Sequence, residues 1–184
     1  MPVYVYRPDI TFDDTNVVGN IYFANFIRWQ GACREMFLKE HAPGVLRAVT
    51  DRKLILHTTS VSCDYSDPVG ARVTDSIAIE MRLAHLRGGR MTVAFDYRRE
   101  SPDGLASQRI ASGKQAICCK RLSADGPVPT VFPVELLLAL RDFADSDELR
   151  SNIDEAIDFT IEHDAGPLVE ARGPALTALG SSMA

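Results

Sequence analysis

The stretch Phe12–Trp29, FDDTNVVGNIYFANFIRW, decides the fold of this chain. It opens as a polar loop, turns at Gly19-Asn20, and then enters an apolar segment without further turn residues. From about Phe23 to His41, apolar side chains recur at three- and four-residue steps, the spacing of one face of a helix. Pro43-Gly44 predicts where this helix ends. The stretch therefore predicts a loop that leads directly into a helix with one buried face.

Strand patterns dominate the sequence that follows this helix. Apolar and polar side chains alternate in four long segments, which are residues 54–64, 73–86, 91–100 and 105–122. A glycine turn joins the second segment to the third, and Ser101-Pro-Asp-Gly104 joins the third to the fourth. A short strand is expected within residues 3–12 and a short helix at 133–143. This order predicts an α+β fold in which an antiparallel sheet of about five to six strands wraps around the central helix.

Composition and charge divide the chain into two parts. Its 184 residues are 46% hydrophobic, enough for one domain with a real core. Residues 1–141 carry 18 basic and 15 acidic side chains, whereas residues 142–184 carry 2 and 10. We therefore predict a folded body at 1–143 and an acidic C-terminal tail at 144–184, partly helical or disordered. The mildly basic body suits an acidic or phosphorylated partner, or is simply ordinary solvated charge.

Other features exclude several classes of protein. No apolar run approaches the roughly 20 residues of a membrane span, and the N-terminus lacks a signal-peptide pattern, so we expect a cytoplasmic protein without a membrane or nucleic-acid partner. The four cysteines include no CxxC pair, and the four histidines form no ligand cluster. No metal and no cofactor are expected.

Arg34 is the unusual residue of the predicted helix. It falls on the same stripe as Ile27 and Phe37, where a charge is costly unless it is paired or used. One interpretation is a structural ion pair or an arginine that extends to solvent. The other is a cation directed at a bound carbonyl or anion.

The start of the helix offers a second candidate feature. The first N–H groups of a helix have no partner within it, and they lie at the positive end of its dipole. We hypothesise that the backbone N–H groups of Phe23 and Ala24 stabilise a developing oxyanion. Tyr22 is interpreted either as lining a ligand-binding tunnel or as ordinary aromatic core.

The segments Thr15–Gly31, TNVVGNIYFANFIRWQG, and Cys33–Leu38, CREMFL, carry a resemblance to a known family. They resemble the signature of the 4-hydroxybenzoyl-CoA-thioesterase-like hotdog family, and especially the stand-alone thioesterases of enediyne polyketide biosynthesis. The resemblance covers roughly residues 3–122. The family usually places an acid in this loop to attack the thioester or to activate water. In the enediyne subgroup, as at Asn16 here, asparagine replaces that acid, and an arginine matched by Arg34 becomes the principal catalytic group.

The resemblance implies a specific activity. Such proteins hydrolyse a β-keto polyene thioester carried on the phosphopantetheine of an acyl carrier protein, and the released acid decarboxylates to a linear polyene or methyl ketone. They resemble homotetramers, built as dimers of hotdog dimers, with an acyl tunnel between subunits or along the central helix. Asn16 and Arg34 would then be catalytic, and substrate contacts are expected from a further set of positions, Gly19, Tyr22, Ile27 and Phe37.

Two alternatives remain open at this stage. A general acyl-CoA thioesterase would use Asp13 or Asp14 as its carboxylate, although paired aspartates before a turn are more often turn chemistry. A non-catalytic hotdog module would bind acyl chains without turnover. A dehydratase with His57 as its base is less favoured, because His57 falls in a strand. Five arginines surround one hairpin, namely Arg82, Arg87, Arg90, Arg98 and Arg99. They could dock the carrier protein, or their charge could simply prevent an exposed strand from pairing with another chain.

Overall fold

The computed structural model describes residues 2–101, 103–104 and 106–163. An antiparallel sheet has the strand order β1-β3-β4-β5-β2, with β6 paired to β5, and this confirms the predicted α+β fold. The strands are β1 (Tyr4–Tyr6), β2 (Leu54–Tyr65), β3 (Ser76–Arg87), β4 (Arg90–Glu100), β5 (Ser107–Ser123) and β6 (Gly126–Pro129). The helices are α1 (Phe23–His41), α2 (Pro43–Thr50), α3 (Val134–Arg141) and α4 (Asp147–His163), and a short 3-10 turn covers Phe12–Asp14.

Helix α1 packs on the inner face of the sheet, and two tyrosines fix its start. The Tyr97 hydroxyl donates to the Phe26 carbonyl at 2.5 Å, and the Tyr65 hydroxyl donates to the Phe23 carbonyl at 2.8 Å. The buried face begins at Phe26 rather than at Phe23, whose side chain is exposed. The first turn of α1 therefore extends beyond the core.

Strands β3 and β4 follow the predicted alternation until a register shift interrupts it. Ile77, Ile79, Met81 and Leu83 are buried as expected. The pairing with β4 then shifts between Leu83 and His85, so that Leu86 is buried and His85 is exposed. A β-bulge inserts one residue and reverses which side chains face the core.

Two elements do not follow from the sequence patterns. The predicted end of the first helix is confirmed, because α1 ends at His41, but Pro43 also begins a second helix, α2, where a missing N–H costs nothing. β6 forms from Gly126–Pro129, which the sequence predicts as a break. Its two prolines are tolerated because β6 lies at the edge of the sheet.

The chain beyond residue 143 contributes to the core. Ala144, Leu149 and Ile153 are buried, and α4 packs on α3 and β3. The predicted boundary at 143 stays a prediction, and residues 164–184 lie outside the described residues. Within the described part of the chain, no helix has the length and apolarity that crossing a membrane requires.

Ile153 tests how much α4 contributes to stability. Its side chain is 0% exposed, so Ile153→Ala is expected to lower the free energy of unfolding by about 2–5 kcal/mol in denaturant titration. Ile161 lies on the same helix and is 62% exposed, so Ile161→Ala should change that free energy by less than about 0.5 kcal/mol. Equal effects of the two substitutions would mean that α4 does not dock as described.

Candidate active site

Arg34 lies on the flank of α1 that faces the edge strand β2. Its Nη1 donates to Thr58 Oγ1 at 2.8 Å and to Gln115 Oε1 at 3.2 Å. Its Nε is buried and has no hydrogen-bond partner among the described residues. No carboxylate in the described part of the chain forms an ion pair with it. Of the two sequence interpretations, the structural ion pair is therefore not what the structure contains.

The environment of Arg34 explains its electrostatic state. Burial lowers the pKa of the Arg34 guanidinium below its ordinary value, and the charge of the neighbouring Glu35 partly opposes that shift. Arginine nevertheless remains protonated at any ordinary pH. The site thus holds a permanent cation whose Nε–Nη2 edge makes no hydrogen bond among the described residues, and that edge is the geometry that binds two oxygens side by side.

Thr58 and Gln115 hold Arg34 in place, and the sequence patterns did not single them out. Thr58 lies on β2 and Gln115 on β5, and both side chains face α1. Gln115 is buried. The sequence signal that could have identified Gln115 was a glutamine at an inward-facing position of an alternating strand. A buried amide needs a polar partner, so such a residue indicates a polar group nearby.

Asn16 forms the turn that precedes α1. Its Oδ1 accepts hydrogen bonds from the backbone N–H groups of Val18 and Asn20, both at 3.1 Å. Its own N–H donates to the Asn20 carbonyl at 2.8 Å. The side-chain oxygen is therefore occupied, and the group that Asn16 can offer a ligand is its Nδ2 donor.

The first turn of α1 has the predicted free donors. Tyr22 is the N-cap and makes no side-chain capping bond. The Tyr22 N–H donates to the Asp14 carbonyl, and the Asn25 N–H donates to the Tyr22 carbonyl. Within the described residues, the N–H groups of Phe23 and Ala24 make no such bond, so they remain available to an anion or a carbonyl.

The four predicted substrate contacts fall in different environments. Tyr22 is 46% exposed, and its ring packs on that of Phe23. Gly19 is exposed and has a φ of 81°, which favours glycine at this turn. Ile27 is partly buried. Phe37 is 1% exposed and packs among aromatic rings of the core, so a contact with substrate would require the core to open there. These four roles stay predictions.

Helix geometry separates the two halves of the candidate site. Arg34 follows Phe23 by 11 residues on one continuous helix, which corresponds to about 16 Å along the axis. Asn16 lies in the loop at the Phe23 end. Among the described residues, no hydrogen bond joins Arg34 to Asn16, and the two groups lie toward different ends of α1.

The competing acids and base have other roles in the structure. Asp14 is buried, where it accepts from the Thr11 N–H at 2.9 Å and forms an ion pair with Arg28. Asp13 is exposed. His57 follows the strand alternation and faces the opposite side of the sheet from Thr58, away from Arg34. Asp14 thus stabilises the loop, and His57 is badly placed for a dehydratase.

Most of the hairpin arginines are paired. Arg82 binds Asp96 at 2.7 Å, and Arg98 binds Glu80 at 2.8 Å. Arg99 binds both Asp67 and Asp75. Only Arg87 and Arg90, of these five, form no ion pair among the described residues.

Two cavities among the described residues are not lined by Arg34. One of about 580 Å³ lies between the tip of the β3–β4 hairpin and α4, and is lined in part by Leu86, Phe132 and Ala156. A second of about 450 Å³ lies beside the other end of β4. Arg34 instead lies between α1 and β2, the edge strand of the sheet.

Comparison with solved structures decides the family. The dynemicin thioesterase, whose crystal structures address polyene binding, is 39% identical, with a TM-score of 0.73 over 79% of this chain and 99% of that one. This chain belongs to the hotdog thioesterases. The predicted family and reaction class, thioester hydrolysis, are thereby confirmed. Neither a family model nor a curated protein matches the chain.

More distant hotdog thioesterases share the fold alone. The 4-hydroxybenzoyl-CoA thioesterase of Pseudomonas sp. strain CBS-3 is 18% identical, with a TM-score of 0.62 over 74% of this chain and 98% of that one. A 1,4-dihydroxy-2-naphthoyl-CoA thioesterase from Synechocystis is 16% identical, with a TM-score of 0.62 over 76% and 96%. Each match covers nearly all of the other protein but only about three quarters of this chain, because this chain is longer.

Proposed function

We propose that this hotdog thioesterase hydrolyses a β-keto polyene thioester carried by an acyl carrier protein of an iterative polyketide synthase. The observation that carries the proposal is the partly buried guanidinium of Arg34, whose Nε is buried and which, among the described residues, has no counter-ion and one unused donor edge. A buried charge of this kind is costly unless a ligand compensates it. The similarity to the dynemicin thioesterase points to a polyene as that ligand.

The free edge of Arg34 suits a substrate with two carbonyls. A β-keto thioester presents its thioester oxygen and its keto oxygen on the same side, and Nε and Nη2 can donate to both. When water attacks the thioester carbon, negative charge develops on the thioester oxygen. A fixed cation then stabilises the transition state more than the ground state, which is what accelerates the reaction. The carbon–sulfur bond breaks, the departing carrier thiolate takes one proton of the attacking water, and the β-keto acid loses CO2.

Asn16 takes part as a donor rather than as a base in this proposal. An amide cannot accept the proton of water. Because its Oδ1 is held by two backbone N–H groups, Nδ2 is left to bind a carbonyl of the substrate or of its pantetheine arm. The free N–H groups of Phe23 and Ala24 lie at the same end of the helix and would act on the same part of the ligand.

A second copy of the chain would bring the two halves of the site together. β2 is the edge strand of the main sheet and runs for 12 residues, with Val61 and Tyr65 exposed. An exposed edge of this length normally pairs or is covered. We propose that β2 pairs with its copy in a dimer, and that two dimers form the tetramer. The α1 start of one subunit would then approach Arg34 of the other.

The partner and its compartment follow from charge and thiol chemistry. Arg87 and Arg90 are exposed basic side chains without ion pairs in the described part of the chain, so they are the candidates for docking the acidic carrier protein. All four cysteines are free thiols, as is usual in the reducing cytoplasm.

Substrate preference tests this proposal. Release of free thiol is measured from a β-ketoacyl carrier protein, from its plain acyl counterpart of equal chain length, and from the same β-ketoacyl group on CoA. One additional hydrogen bond to a charged donor contributes about 1.5–3 kcal/mol, so the β-keto substrate should react about 10- to 100-fold faster than the plain one. The carrier-protein substrate should have a lower KM than the CoA substrate.

Other results would select the alternatives. Equal rates on β-keto and plain acyl groups would favour a general acyl-CoA thioesterase. Tight binding of the acyl carrier protein without thiol release would favour the non-catalytic acyl-binding module.

A further inference from the structure

Gln30 is a polar side chain where the core should be apolar. It lies on the buried face of α1, one turn before Arg34, and is 0% exposed. Burying an amide is costly unless all of its polar atoms find partners. A glutamine at this position therefore needs an explanation beyond packing.

The structure holds the amide of Gln30 in one orientation. Its Nε2 donates to the Ser62 carbonyl on β2 at 2.9 Å. Gly113 on β5 makes room for it, because a Cβ at position 113 would lie 2.1 Å from Nε2. Since Nε2 is fixed as the donor to β2, the orientation of Oε1 is fixed as well.

The other half of the amide remains unused by the protein. Gln30 Oε1 is buried and has no partner among the described residues, and the only other such side-chain atom there is Arg34 Nε. The two residues are four apart on one helix, so they are neighbours on the same face. One atom is an acceptor and the other a donor, and they lie on consecutive turns of α1.

We propose that Gln30 Oε1 accepts a hydrogen bond from the attacking water while Arg34 holds the carbonyl that the water attacks. This inference rests on the proposed function and adds the element that it lacks, a group that positions the nucleophile. The water oxygen bonds to the thioester carbon and the carbon–sulfur bond breaks. One water proton ends on the carrier thiol and the other on the carboxylic acid. Gln30 orients the water and takes no proton.

A neutral amide fits this place better than a carboxylate does. An acid one turn from Arg34 would form an ion pair with it and cancel the charge that stabilises the oxyanion. An amide oxygen accepts a hydrogen bond without that effect. Asn16 is not available for this role, because both of its Oδ1 bonds go to the backbone.

A competition between nucleophiles tests the role of Gln30. Hydroxylamine is added as a second acyl acceptor, and the acid product, counted with its decarboxylated ketone, is measured against the hydroxamate. The reaction without enzyme is subtracted. Gln30→Met keeps the length of the side chain and removes the acceptor. Hydrolysis should fall about tenfold, while hydroxamate formation should fall less, so the ratio of acid to hydroxamate should decrease.

Two further variants separate positioning from a general loss of structure. Gln115→Met removes a contact of Arg34 that acts on the carbonyl, so it should slow both products and leave their ratio unchanged. Gly113→Ala keeps Gln30 but displaces its amide, so it should lower the ratio as Gln30→Met does. An unchanged ratio in both Gln30→Met and Gly113→Ala would overturn the proposal and make Gln30 a structural residue.

This test of Gln30 gives a result even if the proposed β-keto substrate is wrong. The ratio is measured on a plain acyl thioester as well as on the β-keto substrate. Loss of the β-keto preference alone would contradict the proposed substrate, and an unchanged ratio on either substrate would contradict the role of Gln30.

Discussion

Replacing Arg34 with methionine is expected to abolish most of the activity while making the protein more stable. Methionine fills much of the same volume but offers no donor. Loss of a preorganised donor to an oxyanion typically costs about 10²–10³ in rate, so kcat on the β-ketoacyl carrier protein should fall by that factor. Thiol release under saturating substrate measures it.

Stability should change in the opposite direction. In the free protein, the Arg34 charge is partly buried without a counter-ion among the described residues, and burial already lowers its pKa. Replacing such a group by an apolar side chain removes a desolvation cost, and exchanges of buried ion pairs for apolar side chains of similar volume have gained about 1–4 kcal/mol. The midpoint of denaturant unfolding should therefore rise in Arg34→Met.

Arg34→Lys is the matched control. Lysine keeps the positive charge but is a point charge that cannot hold two oxygens side by side. It should recover part of the activity on a plain acyl thioester and less of it on the β-keto substrate. If Arg34→Met destabilised the protein and left the rate unchanged, Arg34 would be a structural residue, and a carboxylate such as Asp13 would have to supply the chemistry.

The sequence was sufficient for those parts of the molecule that depend on local patterns. The bounds of α1, the alternation of β3 and β4, and the exceptional position of Arg34 all follow from periodicity within a few turns or strand residues. The bulge at Leu83/His85 was missed because it depends on pairing with another strand. The conversion of Pro43 from a stop into the first turn of α2 depends on how the chain packs after Ala42.

The residues that surround Arg34 could not be predicted from the sequence for a related reason. Thr58 and Gln115 are 24 and 81 residues from it in sequence, and only strand register brings them beside α1. The space at Gly113 that the Gln30 amide fills depends on the register between β2 and β5. By contrast, the distance from Arg34 to the start of α1 follows from the number of residues between them once the helix is known. Long-range pairing is thus the information that the local patterns lack.

Mixing two inactive variants should restore activity, and this is the most direct test of a shared site. About 16 Å along the helix axis separates Arg34 from the α1 start that follows the Asn16 turn, so we expect the two groups of one protomer to act on different parts of a ligand. If both act on the same thioester, one of them comes from the partner subunit. Arg34→Met and Asn16→Ala are each expected to be strongly impaired alone.

The arithmetic of the mixture distinguishes the two arrangements. When the variants are unfolded together and refolded at equal amounts, about half of the dimers should contain one copy of each, by random pairing. In a shared arrangement, each mixed dimer has one site with both groups intact and one with neither, so about a quarter of the wild-type sites recover. If each protomer supplied its own Arg34 and Asn16, every site in the mixed dimer would lack one group and no activity would return. Refolding each variant by itself is the control, and recovery only in the mixture would mean that pairing along β2 assembles the catalytic centre as well as covering an exposed strand.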